Sequence, residues 1–152
     1  MGKIAKVSVI VPTYNRSAAL KQAIKSVSHQ TYPVHEIVVV DDGSTDNTKS
    51  LISQISKVHH QIKYIKIRHS GLPAIARNAG ITIATGEYIA FLDSDDIWDK
   101  NKLKIQIREM NKYNTLASAT NAHIIDEGGR GRSAFAHMPQ VVSLRDVKYP
   151  FR

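Results

Sequence analysis

The densest group of reactive side chains lies in YIAFLDSDDIW at 88–98, where a short apolar run opens into Asp93, Asp95 and Asp96, with Asp99 close behind. Like charges 4 Å apart repel by about 1 kcal/mol in water and by about 4 kcal/mol at an effective dielectric near 20. A cleft holding such a cluster therefore needs a compensating cation, and carboxylate oxygens suit hard divalent ions. On its own the cluster would equally serve as a solvated turn capping the next helix. Two further polar clusters shift that balance. VSVIV at 7–11 runs into PTYNR, and EIVVV at 36–40 runs into DDGSTDNT.

The elements that must position these clusters alternate between β-rich runs and helix-period segments, the pattern of an α/β fold with a mainly parallel central sheet in a three-layer sandwich. VSVIV and EIVVV are nearly continuous apolar runs, as strands covered on both faces should be. The first is expected to stop at Pro12. Ser17 is placed to cap a helix with Ala19, Leu20, Ala23, Ile24 and Val27 on one face. Ser44 or Thr45 is placed to cap a second, with Leu51, Ile52, Ile55 and Val58 inward. YIKIR at 64–68 alternates as a third strand. Pro73 suits the first turn of a helix carrying Ala74, Ile75 and Ala79. YIAFL at 88–92 is the fourth strand, and a helix over about 99–113 turns Leu103, Ile107 and Met110 inward. Residues 116–126 read as a fifth strand, 127–133 as a flexible basic loop, and 143–149 as the start of another helix.

Strand ends rim the ligand crevice of an open α/β sheet, so three polar clusters on one rim make a site. Its ligand must tolerate carboxylates and also supply partners for them. A nucleotide-diphosphate sugar bridged by a cation meets both needs. No GxGxxG follows the first strand, which disfavours a dinucleotide oxidoreductase.

Composition sets outer bounds. At 152 residues the chain suits one domain with a real core. It contains no cysteine, which fits a reducing compartment, and no apolar run approaches the roughly 20 residues needed to span a bilayer. A cytoplasmic location, with access to the cytoplasmic face of a membrane, is the expectation. The net charge of +8 comes from dispersed Lys and Arg, so it implies attraction to anionic ligands or membrane surfaces, not specific nucleic-acid binding. The seven histidines show no metal-ligand spacing.

VSVIVPTYNR, EIVVVDDGSTDNT and GLPAIARNAGITIATGEYIAFLDSDD, in this order, resemble the family 2 glycosyltransferases of the GT-A (Rossmann-like) fold over about residues 6–113. The resemblance implies inverting transfer of a sugar from a nucleotide-diphosphate donor, UDP before GDP or dTDP, aided by Mn²⁺ or Mg²⁺. The acceptor would be an unknown glycan, lipid or protein. By position, Pro12 and Tyr14 match the residues lining the base, with Tyr14 stacking on it. Asp42 matches the residue bonded to uracil, and Arg77 a basic position near the nucleotide. Asp93 and Asp95 match the DxD motif, with Asp93 near the ribose and Asp95 at the metal. Asp96 is a second candidate metal ligand. Asp99 is expected to cap the following helix, and Trp98 to form core or cleft wall.

An inverting transferase also needs a general base near the acceptor hydroxyl. Asp126, Glu127 and Asp146 fit no such motif, so the expectation is a single nucleotide-sugar-binding domain over 1–152, lacking its acceptor-binding portion, with the base beyond Arg152. Two alternatives remain at this level. One is a nucleotide-binding module without turnover. The other is a Mg²⁺-dependent phosphohydrolase, which DSDD followed by Ile97 fits poorly.

Overall fold

The computed structural model describes residues 4–125 and 131–133. The chain divides into two compact units, Met1–Lys102 and Leu103–Arg152. The first contains β1 (Val7–Thr13), α1 (Ser17–Ser28), β2 (Glu36–Asp41), α2 (Thr48–Ile55), β3 (Ile62–Lys66), α3 (Pro73–Ile83) and β4 (Tyr88–Phe91). Its four strands are parallel, in the order β3-β2-β1-β4.

That order fixes the layers. The chain moves outward from β1 to β3, then returns to the other side of β1 for β4. Right-handed crossovers then put α1 and α2 on one face of the sheet and α3 on the other. The packing agrees: Ile10, Val38 and Val40 form a core with Ala76 of α3, flanked by Ile65, Ile67, Ala79 and Ile83. The inward face of α3 is therefore Ala76, Ala79, Gly80 and Ile83, whereas the expected Ala74 and Ile75 are exposed. Gly80 permits the close approach, because a Cβ there would lie 2.5 Å from Ile10 Cγ2.

Several boundaries differ from the sequence reading. β1 continues through Pro12, which is in register with Val40 of β2. β4 pairs with β1 only as far as Ile10, so Pro12 has a strand neighbour on one side, an edge-like position that tolerates a missing N–H. β3 lies two residues earlier than expected. Ser17 begins α1 instead of capping it, and its N–H donates to Asp46 Oδ2 (3.0 Å). α2 starts at Thr48, whose N–H and hydroxyl donate to Asp46 Oδ1 (3.0 and 2.6 Å). Asp46 thus serves two helix starts from the loop before α2. These bonds, the Thr48 hydroxyl foremost, hold its carboxyl down at about 2. Val58 lies beyond α2 and is exposed.

At the amino ends of the strands, Glu36 is 3% exposed. Its Oε1 accepts from the Ser8 hydroxyl (2.6 Å) and from the Thr85 N–H (2.6 Å) and hydroxyl (2.9 Å), while Oε2 pairs with Lys63 Nζ at 2.6 Å. Burial alone would raise this carboxyl, but Lys63, Ser8 and Thr85 outweigh it and hold it at about 2.

The second unit holds α4 (Lys102–Tyr113, with Lys102 at the boundary), β5 (His123–Ile125) and β6 (Gly131–Ser133). Leu103, Ile107 and Met110 are its buried helical stripe, as the periodicity predicts. α4 begins at Lys102, and Asp99 Oδ1 accepts the Asn101 N–H (2.8 Å) just before it. The fifth strand is only three residues long and pairs antiparallel with β6 in its own sheet. The loop expected over 127–133 includes that short strand. Asp126, Glu127, Asp146 and the helix expected at 143–149 lie outside the described residues. Among the described residues, no helix is long and apolar enough to cross a membrane.

Candidate functional site

The reversal of strand order between β2-β1 and β4 creates a crevice at the carboxyl ends of these strands, where open α/β sheets bind ligands. A cleft of about 370 Å³ occupies this place. Pro12, Tyr14, Asp42, Arg77, Asp93 and Asp95 all line it, so six of the seven sequence-predicted positions converge. Asp96 is not part of the lining. Partial burial, then repulsion from Asp95 and Asp93, push its carboxyl above the usual range.

The loops are tied together before any ligand arrives. Asn15, in the left-handed region at φ 50°, accepts the Thr45 N–H at Oδ1 (2.7 Å). Its own N–H donates to Ser44 Oγ (2.9 Å). Fully buried Asp41 accepts the Ser44 N–H (2.7 Å) and the Tyr64 hydroxyl (2.6 Å). Burial and this carboxylate raise the Tyr64 phenol, which stays a donor. Asp41 therefore fixes the turn. The loop after β4 is anchored to the end of α1, where the Trp98 N–H donates to Ser26 Oγ (3.1 Å) and the Thr31 N–H to the Lys100 carbonyl (2.8 Å). Trp98 lies under the Lys102 ammonium, 4.4 Å from its ring centre, and not in the cleft lining.

Asp42 is held differently. Its Oδ1 accepts the Ser70 N–H (2.8 Å) and hydroxyl (2.9 Å), and its Oδ2 accepts the Gly71 N–H (3.0 Å). Burial would raise the carboxyl, but these donors and the neighbouring His69 leave it below its ordinary value. It therefore presents a fixed anionic acceptor, with about one of its four lone-pair positions left for a ligand.

His69 and Arg16 also line the cleft, although neither is a site residue expected from the sequence. The His69 ring stacks on Tyr14 with centroids 4.1 Å apart and planes 20° apart. Its Nδ1 lies 2.8 Å from the Asp42 carbonyl and 3.1 Å from Asp42 Oδ2. Both neighbours are acceptors, which assigns the ring proton to Nδ1. The only signal in the sequence is its place just before Gly71 and Pro73, on the same rim. Gly43 makes room for it: φ is +84°, and a Cβ would meet His69 Cβ at 2.9 Å and His69 N at 3.0 Å. Gly43→Ala is expected to cost about 1–2 kcal/mol for the left-handed backbone alone and to displace His69. Chemical denaturation would read the loss, and an unchanged midpoint would contradict it.

At the mouth of the cleft, Arg77 Nη2 pairs with Asp93 Oδ1 at 2.5 Å, and Arg16 pairs with Asp95. No group of three or more metal-ligating side chains exists among the described residues. Two half-exposed carboxylates nonetheless fit the usual Mg²⁺ arrangement, in which one or two carboxylates act together with substrate phosphates and water.

The family model for Glycosyl transferase family 2 matches residues 8–148. A UDP-Glc:alpha-D-GlcNAc-diphosphoundecaprenol beta-1,3-glucosyltransferase of Escherichia coli is 42% identical over 120 residues, covering 79% of this chain and 47% of that protein. Staphylococcus aureus TarS 1-349 in complex with UDP-GlcNAc has a TM-score of 0.66 at 35% identity, covering 72% of this chain and 32% of that one. A mannosyltransferase of Pyrobaculum calidifontis in complex with GDP-Man and Mn²⁺ has a TM-score of 0.67 at 25% identity, covering 82% and 36%. The chain spans from 17% to 56% of the length of curated relatives it matches.

Proposed function

The chain belongs to the family 2 glycosyltransferases, and from that premise we propose that its cleft binds the donor, a UDP-sugar, for inverting transfer to a glycan, lipid or protein acceptor. The observation that carries this reading is the convergence of Tyr14, Asp42, Arg77, Asp93 and Asp95 on one cleft at the strand-order reversal. The relatives support it: one is named for a UDP-Glc donor and a lipid-linked acceptor, another binds UDP-GlcNAc, and a third binds GDP-Man with Mn²⁺. The described residues carry the donor side of that reaction, and none of them is assigned as its general base.

Each residue has a defined task. Tyr14, backed by His69, offers its remaining face to the base. Asp42 accepts from a ring N–H, which uracil and guanine possess at the recognised edge and cytosine lacks. Arg77 has a planar fork suited to phosphate oxygens. Asp93 faces the ribose and sugar, and Asp95 would hold a divalent cation, Mn²⁺ or Mg²⁺, with Asp96 outside the lining. Such a cation, when bound, would neutralise charge on the departing diphosphate.

Thermal melts with UDP-, GDP- and dTDP-sugars, each with Mn²⁺ or Mg²⁺, test the reading. A rise with UDP-sugar plus cation that exceeds either alone is expected, and no shift with any of them would overturn it. Tyr14→Ala is expected to weaken UDP binding by roughly 5- to 150-fold, because a stacked base contributes about 1–3 kcal/mol. Calorimetric titration would measure the change, and an unaltered affinity would remove Tyr14 from the base site.

A further inference from the structure

Both acids of the DxD pair already have cationic partners. Asp93 is paired with Arg77, and Asp95 with Arg16, the last residue of the PTYNR cluster and one given no task above. Arg16 immediately precedes α1 and lines the cleft together with Asp95. Together the two pairs carry no net charge. A free cation approaching Asp95 must displace a guanidinium, and a diphosphate approaching Arg16 must displace a carboxylate. Each ligand alone therefore breaks an ion pair and leaves one member without its partner.

We propose that Arg16 is a diphosphate-binding residue that also holds Asp95 closed to free cation, so that the ligands enter by exchange of partners. The guanidinium passes from Asp95 to a phosphate oxygen, and the carboxylate passes from Arg16 to the cation. A nucleotide-sugar diphosphate carries two negative charges and the cation two positive ones, so the incoming pair is also neutral. The exchange creates two new ion pairs and leaves no charge uncompensated. The Arg–Asp pairs are half-exposed, and exposed pairs are weak, so they order the carboxylates without trapping them. Binding of each ligand then strengthens the other by one reciprocal factor, as linkage requires. This inference rests on the donor-site reading.

The test measures Mn²⁺ and UDP separately and together on the whole chain, using the electron paramagnetic resonance signal of unbound Mn²⁺ and calorimetry for UDP. In the natural chain each ligand should tighten the other by about 5–150-fold. Arg16→Ala should bind Mn²⁺ alone roughly two- to fivefold more tightly, the range an exposed ion pair allows. The same variant should bind UDP in saturating Mn²⁺ about tenfold or more weakly, as expected for a lost charge-assisted bond, so its coupling factor shrinks. Arg16→Lys keeps the charge without the fork and should fall between the two. Unchanged or weaker Mn²⁺ binding by Arg16→Ala, or unchanged UDP affinity, would overturn the role of Arg16. If the natural chain binds neither UDP nor Mn²⁺, the donor-site reading itself fails. If it binds both and Arg16→Ala matches it, only the exchange fails.

Discussion

Asp95→Asn is expected to abolish most of the stabilisation that UDP gains from Mn²⁺, while leaving the weaker, cation-independent part. Asparagine preserves the shape of the side chain but not the negative charge, and a hard cation draws its affinity from charged oxygen. At a free UDP concentration one hundred times its Kd, binding stabilises the fold by about 2.7 kcal/mol. A hundredfold loss of affinity would reduce that to a few tenths. For a chain of this length, roughly 2–4 °C accompany each kcal/mol, so a UDP–Mn²⁺ shift of about 5–10 °C should fall to about 1 °C. The substitution also frees Arg16, which is then available to phosphate, so UDP without metal should bind no worse than before. Differential scanning fluorimetry with and without chelator separates the two parts. A full Mn²⁺-dependent shift in Asp95→Asn would move the cation site elsewhere.

The second large effect lies at the other end of the sheet. Glu36→Ala is expected to destabilise the fold by about 3 kcal/mol, at the low end of the range for breaking a buried pair, because half-exposed Lys63 can turn to water. The Ser8 hydroxyl and the Thr85 N–H and hydroxyl would lose their acceptor. Linkage gives a matching figure. The carboxyl falls from 4.5 to about 2 on folding, and at 1.36 kcal/mol per unit that is roughly 3 kcal/mol. The sign follows from the depressed value: the contribution is fully present above about pH 4.5 and is lost as pH falls towards 2. Urea denaturation across that range should therefore show an acid limb in the natural chain that is much shallower in Glu36→Gln. Asp46, also held at about 2, would supply the remaining acid sensitivity. Equal acid limbs in the two proteins would contradict the assignment.

The sheet and its polar rim were legible because they depend on local pattern. VSVIV and EIVVV announce strands buried on both faces, although each strand runs on into its polar cluster, β1 to Thr13 and β2 to Asp41. Helix starts were less legible. Ser17 and Thr45 have the right chemistry for caps, yet Asp46 reaches both α1 and α2 from a loop, and that reach exists only after β1 and β2 pair. Residues 116–126 have enough β-branched and apolar side chains to suggest a long strand, but among the described residues only His123–Ile125 find a strand partner. On α3 the period was clear and the phase was not. Ala74 and Ile75 look more apolar than Gly80, but Gly80 faces Ile10 because only a residue without Cβ fits there.

The same distinction applies to the site. Asp42, Arg77 and the DxD acids stand within recognisable motifs. His69 and Arg16 draw their meaning from residues distant in sequence: Tyr14 and Asp42 for the first, Asp95 for the second. Arg16 closes the PTYNR cluster, but nothing in that cluster points to Asp95, and a single sequence offers little to distinguish His69 from other surface histidines.

In the proposed arrangement the three rim clusters form one donor site with its cation at Asp95. Paramagnetic broadening by Mn²⁺ in the presence of UDP, read residue by residue from backbone amide signals, tests it most directly. Broadening is expected to be strongest at Arg16, Asp93, Ser94 and Asp95 and much weaker at Glu36 and Thr85, about 20 Å away, six residues of strand at roughly 3.3 Å each. Broadening centred away from these loops, or none when UDP and Mn²⁺ are both present, would contradict it.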